Sequence, residues 1–206
     1  MKLYLADVKP DMTQAWRTQF ANLADVEIYD GSIFDLKADA IVSPANSFGF
    51  MDGGIDLLLS EFLGWHVEKR LQERLRSHYR GELLVGQAAI VPTDHARFPY
   101  LISAPTMRVP TELGANSVNA YLAMRAVLQL IQLDALDDGT PIKDVIHSLA
   151  VPGLGTGVGR VPADICAYQM HRAYLDIVGG ELKFPATLWV AHGEQNWMMR
   201  SPKKKA

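Results

Sequence analysis

The stretch Asp39-Ala40-Ile41-Val42-Ser43-Pro44-Ala45-Asn46 joins an apolar segment to the start of a long irregular one. The apolar residues are not interrupted by polar ones, as is typical of a strand covered on both faces. From residue 44 to residue 55 the sequence has no regular period and contains three glycines, which predicts a loop. A helix is predicted from about Asp56, with a break near Gly64 and a second helical stripe from Val67 to Tyr79.

Segments with strand character and segments with helical spacing alternate along the rest of the chain. The further predicted strands are residues 3–6, 26–29, 87–91, 100–104, 145–151 and 187–191. One further helix is predicted to begin after Asp11, and two others are predicted over residues 117–133 and 163–178. This order predicts a single α/β domain over residues 1–199, with a largely parallel or mixed sheet and helices on both of its faces. Residues 200–206, which include Pro202-Lys203-Lys204-Lys205, are predicted to form a disordered basic tail.

Composition narrows the classes of partner. The chain has 206 residues, 49% of them hydrophobic and 21% charged, which is the balance of a globular protein. Its net charge of −3 provides no general attraction to nucleic acid or to an anionic membrane, so neither is expected as an obligate partner. No apolar run is long enough to span a bilayer, and Asp7 interrupts the N-terminal segment too early for a signal peptide, so we expect a cytoplasmic protein. The histidines lack close ligand spacing, and no metal or other cofactor is expected.

A second irregular segment, Pro152-Gly153-Leu154-Gly155-Thr156-Gly157-Val158-Gly159, follows the predicted strand that ends at Val151. Glycine at every second position lets the backbone approach a ligand closely and lets successive N–H groups turn toward an anion. The helix expected from Ala163 adds free N–H groups and the positive end of a helix dipole. The segment lacks the Gly-Lys-Ser/Thr ending of a P-loop. It predicts a diphosphate site built from backbone, with a purely structural glycine-rich loop as the alternative.

Taken together, the two loops resemble the signature of the macrodomain family. Asp39 to Asn46 followed by Gly53-Gly54-Ile55-Asp56 is similar to its first loop, and Pro152 to Gly157 is similar to its phosphate loop. Gly31-Ser32-Ile33 resembles the Gly-Asp-Ile turn of the family, and Gly86-Gln87-Ala88 resembles its Gly-x-Ala strand start. The resemblance runs in order from about residue 3 to residue 190. It implies a macrodomain-like fold, in which three α/β/α layers enclose a mixed central sheet, and binding of ADP-ribose or a related nucleotide.

The resemblance also implies where a ligand would lie. The first loop would supply backbone to the diphosphate, the second would wrap the diphosphate from the other side, and the turn after the second strand would line the adenine end. The ligand-binding residues implied in this way are Ser32, Ile33, Gly53, Gly54, Ile55, Gly155, Thr156, Gly157, Val158 and Gly159.

Two further residues are implied in catalysis. Asn46 would face the distal ribose, where its amide can bond hydroxyl groups. In hydrolytic members of the family, an acid at the place of Asp56 helps to position a water near the anomeric carbon. The alternative for Asp56 is an acid in the first turn of a helix that stabilises the helix dipole.

The sequence departs from the family pattern at two places. Ser32 stands where the family usually has an Asp that contacts the adenine amine. Gly159 and Arg160 stand where the family often has an aromatic residue against the distal ribose. Phe48 and Phe50 in the first loop are candidates to supply that wall, with packing in the core as the alternative.

Two charged residues near the loops allow two readings each. Arg160 is either a phosphate ligand or a solvated loop residue. Asp52 is either a second catalytic carboxylate or an acid that stabilises the turn before Gly53.

The activity that these features predict is removal of ADP-ribose from a protein, nucleic acid or small-molecule acceptor, by a hydrolase that needs no metal. Two alternatives stay open, a non-catalytic reader of ADP-ribose and a phosphatase acting on ADP-ribose 1″-phosphate.

Overall fold

The fold is built around one mixed six-stranded sheet, seen in a computed structural model that describes residues 1–200. Its strands are β1 (Lys2–Asp7), β2 (Val26–Asp30), β3 (Ala40–Ser43), β4 (Ala89–His95), β5 (Phe98–Ser103) and β6 (Ser148–Val151). Their order across the sheet is β2-β1-β6-β3-β5-β4. Only β4 runs against its neighbour, so the other five strands place their carboxyl ends at the same edge.

Helices cover both faces of this sheet. They are α1 (Pro10–Gln19), α2 (Gly54–Leu63), α3 (His66–His78), α4 (Asn119–Leu133), α5 (Ala163–Ile177) and α6 (Leu188–Met198). The buried hydrophobic residues of α1, α4 and α5 form one core with Val42, and those of α2 and α3 form a second core with Ile41. Successive residues of β3 thus enter opposite cores, which explains its uninterrupted apolar sequence and confirms the three-layer α/β/α prediction. None of the helices described is long and apolar enough to cross a membrane.

The predicted break between α2 and α3 is confirmed. The first helix ends at Leu63, and Gly64 has a φ of 101°, a conformation that strongly favours glycine. The second helix begins at His66 and buries Val67, Leu71 and Leu75. Because the helix is broken here, the start of α2 lies at the carboxyl edge of the sheet, while α3 packs against β4.

The strand predicted over residues 187–191 is wrong, because most of this segment belongs to α6. The Thr187 side chain accepts a hydrogen bond from the Val190 N–H at 3.3 Å and so caps the helix. No residue of α6 is buried, and Trp189 is 85% exposed. The apolar run Leu188-Trp189-Val190-Ala191 suggested a covered strand, but in the fold it lies outside both cores. Of the predicted basic tail, only Arg200 falls within the described residues; residues 201–206 lie outside them.

Candidate functional site

A cavity of about 520 Å³ lies at the carboxyl edge of the parallel strands. Its wall consists of the loops that follow β1, β2, β3, β5 and β6, where ligand sites are expected in open α/β sheets. The structure brings all twelve residues predicted for the site to this wall: Ser32, Ile33, Asn46, Gly53, Gly54, Ile55, Asp56, Gly155, Thr156, Gly157, Val158 and Gly159. We call residues 44–53 the β3 loop and residues 152–162 the β6 loop.

Backbone geometry shapes the β6 loop. Gly155 has a φ of 71°, and a Cβ added to Gly159 would lie 2.5 Å from the Gly155 carbonyl oxygen. Two carbonyl groups of the loop accept hydrogen bonds from within it: Val161 N–H donates to Gly155 O and Arg160 N–H donates to Gly157 O, both at 3.1 Å. Within residues 1–200, the N–H groups of residues 156–159 have no acceptor. The loop therefore presents a run of free donors at the cavity, the arrangement that binds anions.

A second set of free donors comes from the start of α2. Gly53 caps this helix without a side-chain hydrogen bond, and Gly54 follows with a φ of 58°. The N–H groups of residues 54–56 have no acceptor in the described part of the chain, as expected in the first turn of a helix. They carry the positive end of the helix dipole to the cavity. The N-terminus of α5 was predicted to do this as well, and that prediction is wrong, because no residue of α5 lines the cavity.

The Asn46 side chain holds the β3 loop in shape. Its Oδ1 accepts hydrogen bonds from the N–H groups of Phe48 at 3.1 Å and Phe50 at 3.3 Å. Its Nδ2 donates to the carbonyl of Phe50 at 2.8 Å. One Nδ2 hydrogen remains for a ligand. The ribose contact stays a prediction, and the structure adds a loop-closing role that the sequence analysis did not include.

Asp56 is a buried carboxyl group at the cavity wall. Its residue is 8% exposed, and its Oδ1 accepts a hydrogen bond of 2.6 Å from the hydroxyl of Ser43, which is fully buried. Burial raises the pKa of Asp56 to about 6, and the Ser43 hydrogen bond opposes this rise. The group therefore changes protonation close to neutral pH, which suits a general acid or base.

The turn that was predicted to line the adenine end reaches the cavity through Ser32 and Ile33. The Ser32 hydroxyl accepts a hydrogen bond from the Phe34 N–H at 3.3 Å and caps a short 3₁₀ helix, Ile33–Asp35. Ile33 is buried and gives this end an apolar wall. Ser32 thus fixes the backbone of the turn, and its hydroxyl group can still donate a hydrogen bond to a ligand.

The two loop aromatics have different environments. Phe50 lines the cavity with 54% of its surface exposed, so it remains the candidate for an aromatic wall. Phe48 does not line the cavity, and the Arg108 guanidinium lies 4.9 Å from its ring centroid. A role for Phe48 in the wall is therefore wrong.

The two charged residues that allowed two readings, Arg160 and Asp52, also have different environments. Arg160 does not line the cavity and pairs with Glu112 at 3.3 Å, so the solvated reading holds for it. Asp52 lines the cavity and is exposed. Among residues 1–200, no group of three or more His, Cys, Asp or Glu side chains is placed to hold a metal ion.

Sequence reasoning missed the contribution of the loop after β1. Asp7 and Lys9 line the cavity, and Asp7 Oδ1 accepts a hydrogen bond from the Lys9 N–H at 2.9 Å. The Lys9 ammonium lies 3.5 Å from the Thr156 carbonyl oxygen of the β6 loop. Lys9 is the one cation among the described residues of the wall. The sequence signal that could have indicated this contribution was the acidic residue Asp7, which directly follows the predicted first strand. The loop after β5 was missed too, and it contributes Thr106, Met107 and Pro110.

Comparison with known proteins places this chain in a family. A family model described as "Macro domain" matches residues 42–170, which include both loops. The chain is 32% identical over 146 residues to an uncharacterised protein of Aquifex aeolicus, covering 71% of this chain and 78% of the relative. It is 33% identical over 166 residues to an uncharacterised protein of Aeropyrum pernix, covering 80% of this chain and 77% of the relative.

Solved structures show the same fold. The macrodomain of Mycobacterium tuberculosis DarG matches with a TM-score of 0.55 and 21% identity, over 71% of this chain and 87% of that chain. A Trypanosoma brucei macrodomain in complex with ADP-ribose matches with a TM-score of 0.51 and 18% identity, over 72% of this chain and 57% of that chain.

Proposed function

The chain belongs to the macrodomain family, and we propose that it binds ADP-ribose in the cavity and hydrolyses the bond between ADP-ribose and an acceptor. The observation that carries the proposal is the pair of free donor sets, residues 54–56 and 156–159, on the wall of one cavity. A diphosphate bound between the two loops would accept hydrogen bonds from both sets. The Trypanosoma brucei relative, solved with ADP-ribose, supports this choice of ligand.

The charges of the wall favour recognition by backbone. Asp7, Asp52 and Asp56 line the cavity beside a single cation, Lys9. Side chains alone would therefore repel a diphosphate, and the attraction must come from oriented N–H groups and the start of α2. The same carboxylates suit the hydroxyl groups of a ribose, which donate hydrogen bonds.

The proposed reaction uses Asp56 as the group that handles the proton. A water held by Asp56 attacks the anomeric carbon of the distal ribose, and the new C–O bond forms as the Asp56 carboxylate takes a proton from the water. The bond from that carbon to the acceptor breaks, and its electron pair leaves with the acceptor. The loop N–H groups and Asn46 fix the rest of the ligand, so catalysis rests on positioning and electrostatics.

Two assays test the proposal. Isothermal titration should show binding of ADP-ribose, and protein and DNA substrates carrying radiolabelled ADP-ribose should lose the label. Replacement of Asp56 by Asn should slow release by about 100-fold while binding is retained. Asp11→Asn is the matched control, because Asp11 is likewise an acid in the first turn of a helix but does not line the cavity, so its replacement should leave release unchanged.

The outcomes distinguish the possible functions. Binding without release from any substrate would identify a reader and refute the hydrolase. Full release by Asp56→Asn would remove Asp56 from the mechanism. Absence of ADP-ribose binding would refute the proposal as a whole.

A further inference from the structure

A buried hydroxyl group contacts the carboxyl group that the proposed reaction uses. From this contact we propose that Ser43 is a positioning residue: its hydroxyl holds Oδ1 of Asp56, so that Oδ2 is the oxygen presented to the reacting water. The inference rests on the proposed hydrolysis, since it assigns Ser43 a role through Asp56. Ser43 itself does not line the cavity.

The geometry of the contact is that of a fixed link between two elements. Ser43 is the last residue of β3, and Asp56 lies in the first turn of α2. The 2.6 Å hydrogen bond joins them across the whole β3 loop, and both residues are buried. Within residues 1–200, Ser43 is the sole hydrogen-bond partner of the Asp56 carboxyl group. A buried polar contact of this kind fixes a side-chain rotamer, because leaving either group unpaired is costly.

The contact also separates two readings of Asp56. An acid that merely stabilises the helix dipole would be exposed, or would accept hydrogen bonds from N–H groups of its own first turn. The Asp56 carboxyl group is buried and accepts a hydrogen bond from a neighbouring strand instead. This arrangement sets its direction relative to the cavity.

Other charged groups around α2 do not take the place of Ser43. Strand β3 carries no titratable side chain. The charged groups on the cavity wall besides Asp56 are Asp7, Lys9 and Asp52. His95 and Arg97 contact the Phe62 ring of α2, and His66, Glu68 and Asp94 lie on α3 and β4, the elements that pack against α2. Glu68 accepts a hydrogen bond from the Met51 N–H, and Asp94 pairs with Arg70. Burial and the Ser43 hydroxyl are thus the local influences on the ionisation of Asp56.

Ser103 offers a closely matched control. It is the register partner of Ser43 on the adjacent strand β5, and it is also fully buried. Its hydroxyl group has no hydrogen-bond partner among residues 1–200. Ser103→Ala therefore deletes an equally buried hydroxyl from the same end of the sheet without removing a contact to Asp56.

The test measures the ionisation of Asp56 without using activity. The ¹³C signal of its carboxyl carbon, assigned by its loss in Asp56→Asn, is titrated in the unsubstituted protein, Ser43→Ala and Ser103→Ala. In Ser43→Ala the buried carboxylate loses its donor, so the pKa of Asp56 should rise, whereas Ser103→Ala should leave it unchanged. An unchanged pKa in Ser43→Ala, or an equal rise in both variants, would overturn the inference.

The second measurement is the pH profile of label release. In Ser43→Ala the acid limb of kcat should move to higher pH, with a loss of at least about fivefold near pH 6 and less than about twofold near pH 8. KM should stay within about twofold, because Ser43 does not contact the ligand.

Circular dichroism verifies folding, and in an Asp56→Asn background the Ser43 substitution should have no further effect on kcat. A pH-independent loss of kcat, or a loss that persists in that background, would contradict positioning through Asp56. Absence of release in the unsubstituted protein would refute the proposed function instead, and the NMR titration would still report on the contact.

Discussion

The β3 loop and the β6 loop line the same cavity but are held in different ways. Side chains fix the β3 loop: Asn46 closes it, Glu68 accepts from the Met51 N–H at 2.6 Å, and Ser60 donates to the Met51 carbonyl at 2.9 Å. The β6 loop is held largely by its own backbone and by glycines that leave no room for a side chain, as at Gly159.

This difference separates two tasks. A loop held by side chains can place a carboxyl group in a buried position that shifts its pKa, and Asp56 lies in the helix turn that follows the β3 loop. A loop held by backbone exposes its N–H groups and binds charge through shape. Changes at an open position of the β6 loop, such as Gly157, should therefore affect binding alone, whereas changes near the β3 loop should also affect stability and pH dependence.

The largest effect is expected from Gly157→Glu. A Cβ at Gly157 meets nothing within 4 Å among the described residues, so the protein should fold normally, but the substitution adds a carboxylate to a residue of the donor set of the β6 loop. ADP-ribose binding by isothermal titration should weaken at least about 100-fold through repulsion and blockage. Gly193→Glu is the control, since Gly193 is equally open but lies on α6, away from the cavity. Unchanged binding in Gly157→Glu would show that the β6 loop is only structural.

Asp56→Asn should stabilise the protein at neutral pH. Burial raises the pKa of the folded-state carboxyl group to about 6, above its usual range, so the folded protein retains a proton that the unfolded chain releases. The stability contributed by this group therefore falls as the pH rises from about 4 to about 6. The substitution removes this penalty and should raise the free energy of unfolding by about 1–3 kcal/mol at pH 7, with little difference near pH 4. Urea unfolding between these pH values measures the effect, and a less stable variant at pH 7 would contradict it.

Asn46→Ala should affect both stability and binding. The substitution deletes the hydrogen bonds to Phe48 and Phe50 and leaves their backbone groups unpaired. We expect a loss of about 1–2 kcal/mol in the free energy of unfolding and roughly tenfold weaker ADP-ribose binding. Asn196→Ala on α6 is the control for loss of an amide away from the cavity. Weaker binding without any loss of stability would assign Asn46 to the ligand alone.

The smallest effect is expected from Lys9→Ala. Its ammonium group lies near the β6 loop but is exposed, so its attraction to a diphosphate is screened by salt. Binding should weaken about two- to fivefold at low ionic strength, and the difference should shrink in high salt. Lys37→Ala, an exposed lysine away from the cavity, should have no effect. A large, salt-independent loss would mean that Lys9 rather than the backbone dominates recognition.

The sequence was sufficient to predict both loops, because their signals are local. Glycine spacing and the position of each loop after a strand are read directly from the residues, and the parallel strands bring both loops to one edge. The contact between Ser43 and Asp56 depends on where α2 begins after an irregular loop, which no local period reveals. Lys9 was missed because its proximity to Thr156 depends on the pairing of β1 with β6, which are far apart in sequence. For α6, four consecutive apolar residues outweighed the capping signal of Thr187.

The central claim is that backbone N–H groups of the two loops hold the ligand, and a ¹H–¹⁵N correlation spectrum recorded during titration with ADP-ribose tests it most directly. The account predicts that the amide signals of residues 54–56 and 156–159 shift together and saturate at one equivalent, while that of Gly193 on α6 does not move. Shifts confined to other parts of the surface, or no shifts at all, would contradict it.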